Sequence, residues 1–277
     1  MVETYTLRDG LTVPKVGFGT YKLNGAHGVQ VIDSAIDRGY RLLDTAFNYE
    51  NEGAVGEAVR RSSVPRSELL ISSKLPGRHH TYEEAIATIQ ESLYRAGLDY
   101  YDLYLIHWPN PKEDHYVEAW QALIDAQELG LIRSIGVSNF LPEHLDRLEK
   151  ETGVLPVINQ VELHPYFNQQ AQRTYDKAHG ILTQDWSPIG RASEMLQNPT
   201  LQTIAAKYRK NVGQLILRWE VQLGTLPIPK SSTPSRQAGN LDIFDFEIAE
   251  SDMATINGLS TADGRLKNQD PAVYQEF

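Results

Sequence analysis

The stretch GYRLLDTAFNYENEGAVG, residues 39–56, sets the reading of the whole chain. A short apolar run carrying Leu42 and Leu43 ends on Asp44, Tyr49 follows five residues later, and a helical pattern opens near Glu52. A buried strand that hands polar groups to the loop before a helix has this form. In a barrel of such units, that loop is where the chemistry is kept. Two more polar residues close apolar runs in the same way, Lys74 in LLISSK and His107 in YDLYLIH. Taken singly, Asp44 reads equally well as a helix N-cap or a buried acceptor, and Tyr49 as an amphipathic loop residue. Four such residues at the same place in successive strand-helix units favour a site.

Outward from this stretch the unit repeats. Helical periodicity over 26–38 (Val29, Ile32, Ala35, Ile36) stops at Gly39, a residue suited to a helix C-cap, and the strand 41–44 follows. Helix and strand then alternate at 52–61 and 69–74, 82–96 and 103–107, 116–128 and 134–138, 142–151 and 157–160, and 169–178 and 181–185. Helices at 201–207 and 214–222 precede a last strand at 225–228, and with 16–18 counted first there are eight strands. Regular alternation implies a parallel sheet, and eight units close it more readily than they extend it. The expected fold is α/β, a single (β/α)8 TIM barrel domain spanning residues 1–277.

The ends add detail. Asp9-Gly10 between 5–7 and 11–13 signals a short N-terminal β-hairpin suited to closing the barrel floor. Gly17 and Gly19 lack the third glycine of a dinucleotide fingerprint, so a Rossmann reading fails there. The polar stretch 258–277 reads as loop, either frayed or lying near the pocket with Tyr274 and Phe277 packed over it.

Composition narrows the function. A net charge of −10 argues against a broad basic footprint for nucleic acid, so a polyanionic ligand needs a local cluster such as Lys230 with Arg236. Absent cysteine removes thiolate nucleophiles and Cys-based zinc sites and fits a reducing compartment. No apolar run approaches the roughly 18 residues of a membrane span, and no secretory leader pattern opens the chain. A cytoplasmic protein with no membrane partner is expected. The adjacent pair His79-His80 has no HExxH or Cys companions and reads as polar loop rather than metal site.

Three ordered segments carry a family resemblance: residues 39–56, GLIRSIGVSNF at 130–140, and IPKS at 228–231. In these the chain resembles the aldo-keto reductases, in particular bacterial members of the 2,5-diketo-D-gluconate reductase type. The resemblance runs from the opening LRDGLTVPKVGFGTY to DIFDFE and leaves only the C-terminal stretch loosely covered. It implies a catalytic tetrad of Asp44, Tyr49, Lys74 and His107. Tyr49 would be the proton donor. A neighbouring cation favours phenolate, whose ordinary pKa is near ~10, and Asp44 would hold that cation, Lys74, in place. His107 would orient the carbonyl and stabilise developing negative charge.

The resemblance also implies NADPH, with NADH as an alternative, since side chains supply no hydride. Ser138, Asn139 and Gln160 match the carboxamide positions and Trp186 the ring that stacks on nicotinamide. Gly19, Thr20, Tyr21, Ser187 and Ile189 match positions near the ribose and pyrophosphate, and Lys230, Ser231, Arg236 and Asn240 the adenine end. A lysine and an arginine on one anion favour a 2′-phosphate. Thr233 and Gly239 stand where relatives often carry a basic and an acidic residue, and Pro76 where many have a pocket tryptophan. The implied partner is a small carbonyl substrate: an aldehyde, a dicarbonyl such as methylglyoxal or a sugar-derived diketone. Short connections at 108–115 and 188–198 suggest an open pocket, and a monomer is expected. Two other readings stay open, a binding module that uses cofactor occupancy as a signal and, far behind, a metal-dependent hydrolase.

Overall fold

A strand in a closed parallel sheet points alternate side chains into the barrel and out toward the helices, so a period of two sorts its residues. The computed structural model describes residues 3–190 and 194–277. The hairpin comes first, β1 (Thr4–Thr6) antiparallel to β2 (Thr12–Pro14). The units are β3 (Phe18–Gly19) and α1 (Gly25–Asp37), β4 (Leu42–Asp44) and α2 (Glu52–Arg61), β5 (Leu70–Leu75) and α3 (Tyr82–Ala96), and β6 (Tyr101–Ile106) and α4 (Tyr116–Glu128). Then come β7 (Ile132–Ser138) and α5 (Pro142–Thr152), β8 (Ile158–Glu162) and α6 (Gln170–Ala178), and β9 (Leu182–Trp186). After α7 (Pro199–Lys207) and α8 (Val212–Leu223) the chain adds β10 (Leu226–Pro227), α9 (Pro234–Leu241) and α10 (Glu250–Asn257).

Strands β3 to β10 pair in sequence order as eight parallel neighbours. The first and last meet through Gly17 N–H to Pro227 O at 3.0 Å and Gly19 N–H to Pro229 O at 3.2 Å, which closes the barrel. Here the two glycines have a packing reason. A Cβ on Gly19 would lie 2.9 Å from the Ile228 carbonyl oxygen, and one on Gly17 would lie 2.9 Å from the Ile228 side chain.

Leu42, Leu103, Leu105, Ile158, Leu226 and Ile228 fill the barrel with Leu7 and Val13 of the hairpin segment, so the hairpin does seal the floor. Their neighbours of opposite parity, among them Leu43, Tyr104, Ile106 and Ile135, pack outward against Ile32, Ile89 and Leu123 of the helices. The same parity carries Leu42 up to Asp44, Leu105 up to His107 and Ile158 up to Gln160. The inward positions at the C-terminal strand ends are thus the polar ones. No helix among the described residues is long and apolar enough to cross a membrane.

Most expected elements agree to within two residues. The strand expected at 16–18 is instead Phe18–Gly19, and Trp186 ends β9 rather than following it. The 188–198 connection includes residues 191–193, which lie outside the described residues. Helix α10 was not expected at all. It is docked by Trp219, whose indole N–H donates to Asn257 Oδ1 at 2.9 Å.

Candidate active site

Asp44, the last residue of β4, is buried and holds two partners. Lys74 Nζ donates to its Oδ2 at 2.6 Å, and Gln160 Nε2 donates to its Oδ1 at 2.8 Å. Lys74 also donates to the Thr45 carbonyl at 2.7 Å and exposes no surface. Burial pulls its ammonium below the ordinary lysine range, and the charge and hydrogen bond of Asp44, with the charge of Glu276, oppose that pull. The Tyr49 ring follows on a short 3-10 turn, its centroid 5.1 Å from Lys74 Nζ and 5.8 Å from the His107 ring, edge to face. Strands β4, β5 and β6 therefore bring together all four residues read as the tetrad.

A second chain of contacts runs across the mouth. Ser138 Oγ donates to the Gln160 carbonyl at 2.8 Å, and Asn139 Nδ2 donates to the His107 carbonyl at 3.0 Å. Trp186 Nε1 donates to Asn139 Oδ1 at 2.8 Å. Gln160 Nε2 also reaches Gln184 Oε1 at 2.7 Å, while Gln184 Nε2 is buried with no hydrogen-bond partner. Gln184 was missed by the sequence reading, although its inward parity in β9, two before Trp186, is the signal that finds it. On the other side of the barrel seam, Thr20 Oγ1 donates to the Asp44 carbonyl at 2.9 Å, and the half-exposed Tyr21 ring lies 5.0 Å from that of Tyr49.

Beyond the mouth lies a cavity of about 850 Å³ lined by Ile189, Lys230, Ser231, Arg236, Gly239 and Asn240, together with Lys210, Asn211 and Gly213. It gathers the residues expected at the adenine end. Lys230 and Arg236 are exposed, whereas Lys210, which the sequence reading did not include, is met by Asp242 at 2.9 Å and Asp245 at 2.8 Å. Helix α9 opens at this cavity with Pro234, and Thr233, Ser235 and Arg236 at its amino end line the same space as Lys230. A Cβ on Gly239 would meet nothing within 4 Å. Ser187 adopts a positive φ of 53° just past β9.

The C-terminal segment corrects one expectation and exceeds another. Phe277 is 85% exposed and covers nothing. Tyr274 does pack at the mouth, its ring 4.4 Å from that of Trp108. Glu276, which the sequence reading passed over, is buried: Asn48 Nδ2 donates to Oε1 at 2.8 Å and Gly77 N–H to Oε2 at 2.9 Å. Its Oε1 lies 2.7 Å from His107 Nδ1. The short 108–115 connection thus does not leave the pocket open on this side, because the chain's own tail supplies a wall. His79 and His80 do not converge on a ligand: His79 Nδ1 meets Thr88 Oγ1 at 2.8 Å, and the buried His80 ring, pushed down to about 4 by burial, has no hydrogen-bond partner.

Residues 15–261 match the model of the aldo/keto reductase family. The chain is 51% identical to 2,5-diketo-D-gluconic acid reductase B of Corynebacterium sp. (strain SHS752001) over 276 residues, covering 100% of this chain and 99% of that protein. Among solved structures, an aldo/keto reductase from Brucella melitensis superposes with a TM-score of 0.90 at 43% identity, covering 94% of this chain and 100% of that one. A Gox0644 mutant in complex with NADPH gives a TM-score of 0.94 at 37% identity, with 99% of each chain covered. With the barrel, the buried Asp-Lys pair at its mouth and a match over most of its length, the chain belongs to the aldo/keto reductase family of carbonyl-reducing oxidoreductases.

Proposed function

We propose that this chain reduces small aldehydes, ketones or dicarbonyls to alcohols with NADPH, Tyr49 giving the proton. The observation that carries this reading is the fully buried Lys74, clamped by Asp44 and the Thr45 carbonyl with the Tyr49 ring 5.1 Å away. A buried ammonium costs several kcal/mol unless paired, so a barrel that keeps one at its mouth spends stability on a local positive field. That field favours phenolate over phenol at Tyr49 and so makes the phenol a better acid. His107, edge-on to Tyr49, places a second polar group beside the reacting oxygen. The 51% identical relative is named for a diketo acid, which supports dicarbonyls as a substrate class.

NADPH fits the remaining residues. The cavity at α9 offers Lys230 and Arg236 to a 2′-phosphate. When bound, the cofactor supplies the hydride that no side chain can. Neutral Thr233 and the open space at Gly239 make the phosphate clamp a two-cation one and leave room for NADH.

The test is NADPH and NADH consumption with a panel of small aldehydes, dicarbonyls and keto acids, on the native protein beside Tyr49→Phe. Turnover should fall about 100-fold or more in the variant while NADPH binding is retained. An equally active variant, or a native protein that binds NADPH and reduces nothing on the panel, sinks this reading.

A further inference from the structure

Glu276 stands 228 residues from Asn48 and 166 from Asn110 in the chain, yet it is bound like a substrate. Its main chain is gripped by the Asn110 side-chain amide, which donates Nδ2–H to the Glu276 carbonyl at 2.8 Å and accepts the Glu276 N–H at 2.9 Å. Its carboxylate accepts from Asn48 and from the Gly77 amide. The cradle is built to shape: Asn110 holds a positive φ of 45°, and a Cβ on Gly77 would lie 2.3 Å from Asn110 Nδ2. Tyr274 packs at a tilt against Trp108, their ring centroids 4.4 Å apart, two residues before Glu276. Burial works to raise the carboxyl's pKa, but the nearby His107 and the hydrogen bonds from Gly77 and Asn48 outweigh it and hold the group below the usual carboxylate range.

The consequence falls on His107. Its Nδ1 is enclosed and lacks a well-aligned hydrogen bond, and its polar neighbour is Glu276 Oε1, 2.7 Å away but off the ring N–H axis. Two bare lone pairs at that separation repel, and a carboxylate can only accept. A proton therefore belongs on Nδ1, and the hydrogen bond at one ring nitrogen decides the state of the other. We propose that Glu276 is a positioning residue for carbonyl reduction: its carboxylate keeps Nδ1 of His107 protonated and fixes the ring, leaving Nε2 to face the substrate oxygen. Nε2 then donates to that oxygen only when the ring carries both protons, and the carboxylate is the counter-charge for that imidazolium. The inference rests on the reductase reading for its effect on rate, but not for the contact itself.

Two variants and two readouts test it. Glu276→Ala removes the carboxylate but leaves the donors of Asn48 and Gly77 in place to receive a small anion. Its kcat should fall about tenfold or more, with the NADPH dissociation constant unchanged, and added acetate should restore part of the loss while acetamide does not. Glu276→Gln, which keeps the shape and one acceptor, should lie between native and Ala. Nitrogen-15 NMR of the native protein should show Nδ1 of His107 protonated, and that signal should change in Glu276→Ala. A kcat within twofold of native in Glu276→Ala, a loss that acetate does not relieve, or a bare Nδ1 in the native protein would overturn the proposal. If the native protein reduces no carbonyl, the reductase reading fails while the NMR arm still decides whether Glu276 sets the ring's proton.

Discussion

Lys74 reaches the barrel mouth with no exposed surface, so its charge is answered entirely by protein groups. Lys74→Met would leave Asp44 buried with Gln160 as its remaining side-chain partner, and breaking such a pair costs about 3–5 kcal/mol. Asp44→Asn combined with Lys74→Met removes both charges, so urea unfolding should show most of that loss recovered while NADPH consumption stays abolished. A double variant no more stable than Lys74→Met would mean that the pair is not held by its charges. Asp44, Lys74 and His107 were legible in the sequence because each was read as closing an apolar run, and the family resemblance falls on the same three positions. Gln184 shares their inward parity but sits inside an apolar-polar strand among Thr183 and Asp185, where nothing singles it out. Glu276 was not legible at all. It lies in a polar stretch without periodicity, and only the fold brings it to His107.

At the scale of elements, strands proved harder to bound than helices. The strand expected from residue 103 begins at Tyr101, because Asp102 is not a solvated charge: Arg66 lies 2.8 Å from it, Arg133 3.1 Å, and the Ile71 N–H donates to it at 2.9 Å. Helix α10 escaped because its buried residues reduce to Asp252 and Ile256, too few to draw an apolar stripe. Helix α9 carries the proposed cofactor contacts, since its amino end and the turn before it hold Arg236 and Lys230 at the cavity. Lys230→Ala and Arg236→Ala should each weaken NADPH binding about tenfold and leave NADH binding within twofold, read by fluorescence titration. Equal losses for both cofactors would place the two cations away from a 2′-phosphate.

Across the whole molecule, the outward parity of β9 turns Asp185 toward α8, where Glu220 is also fully buried. Burial pushes Asp185 up to about 8 and raises Glu220 well above the ordinary glutamate value, although Thr225 Oγ1 donates to Asp185. Both carboxyls keep in the fold a proton that the unfolded chain releases above pH ~4. Stability from this pair is therefore greatest in acid and falls as pH rises toward 8, by up to about 1.4 kcal/mol per pH unit for each proton. Chemical unfolding between pH 5 and 8 should show this slope flattened in Asp185→Asn and in Glu220→Gln. A slope unchanged in both would assign it elsewhere. The seam between β3 and β10 sets a different order of events. Because Gly17 and Gly19 bond to Pro227 and Pro229, the first parallel strand has one neighbour missing until the last has been made. On the ribosome, more than two hundred residues must emerge before that edge is covered. The nascent chain therefore carries an open sheet edge until residues 227–229 have emerged, and the cavity lined by Lys230 and Arg236 cannot take shape before then.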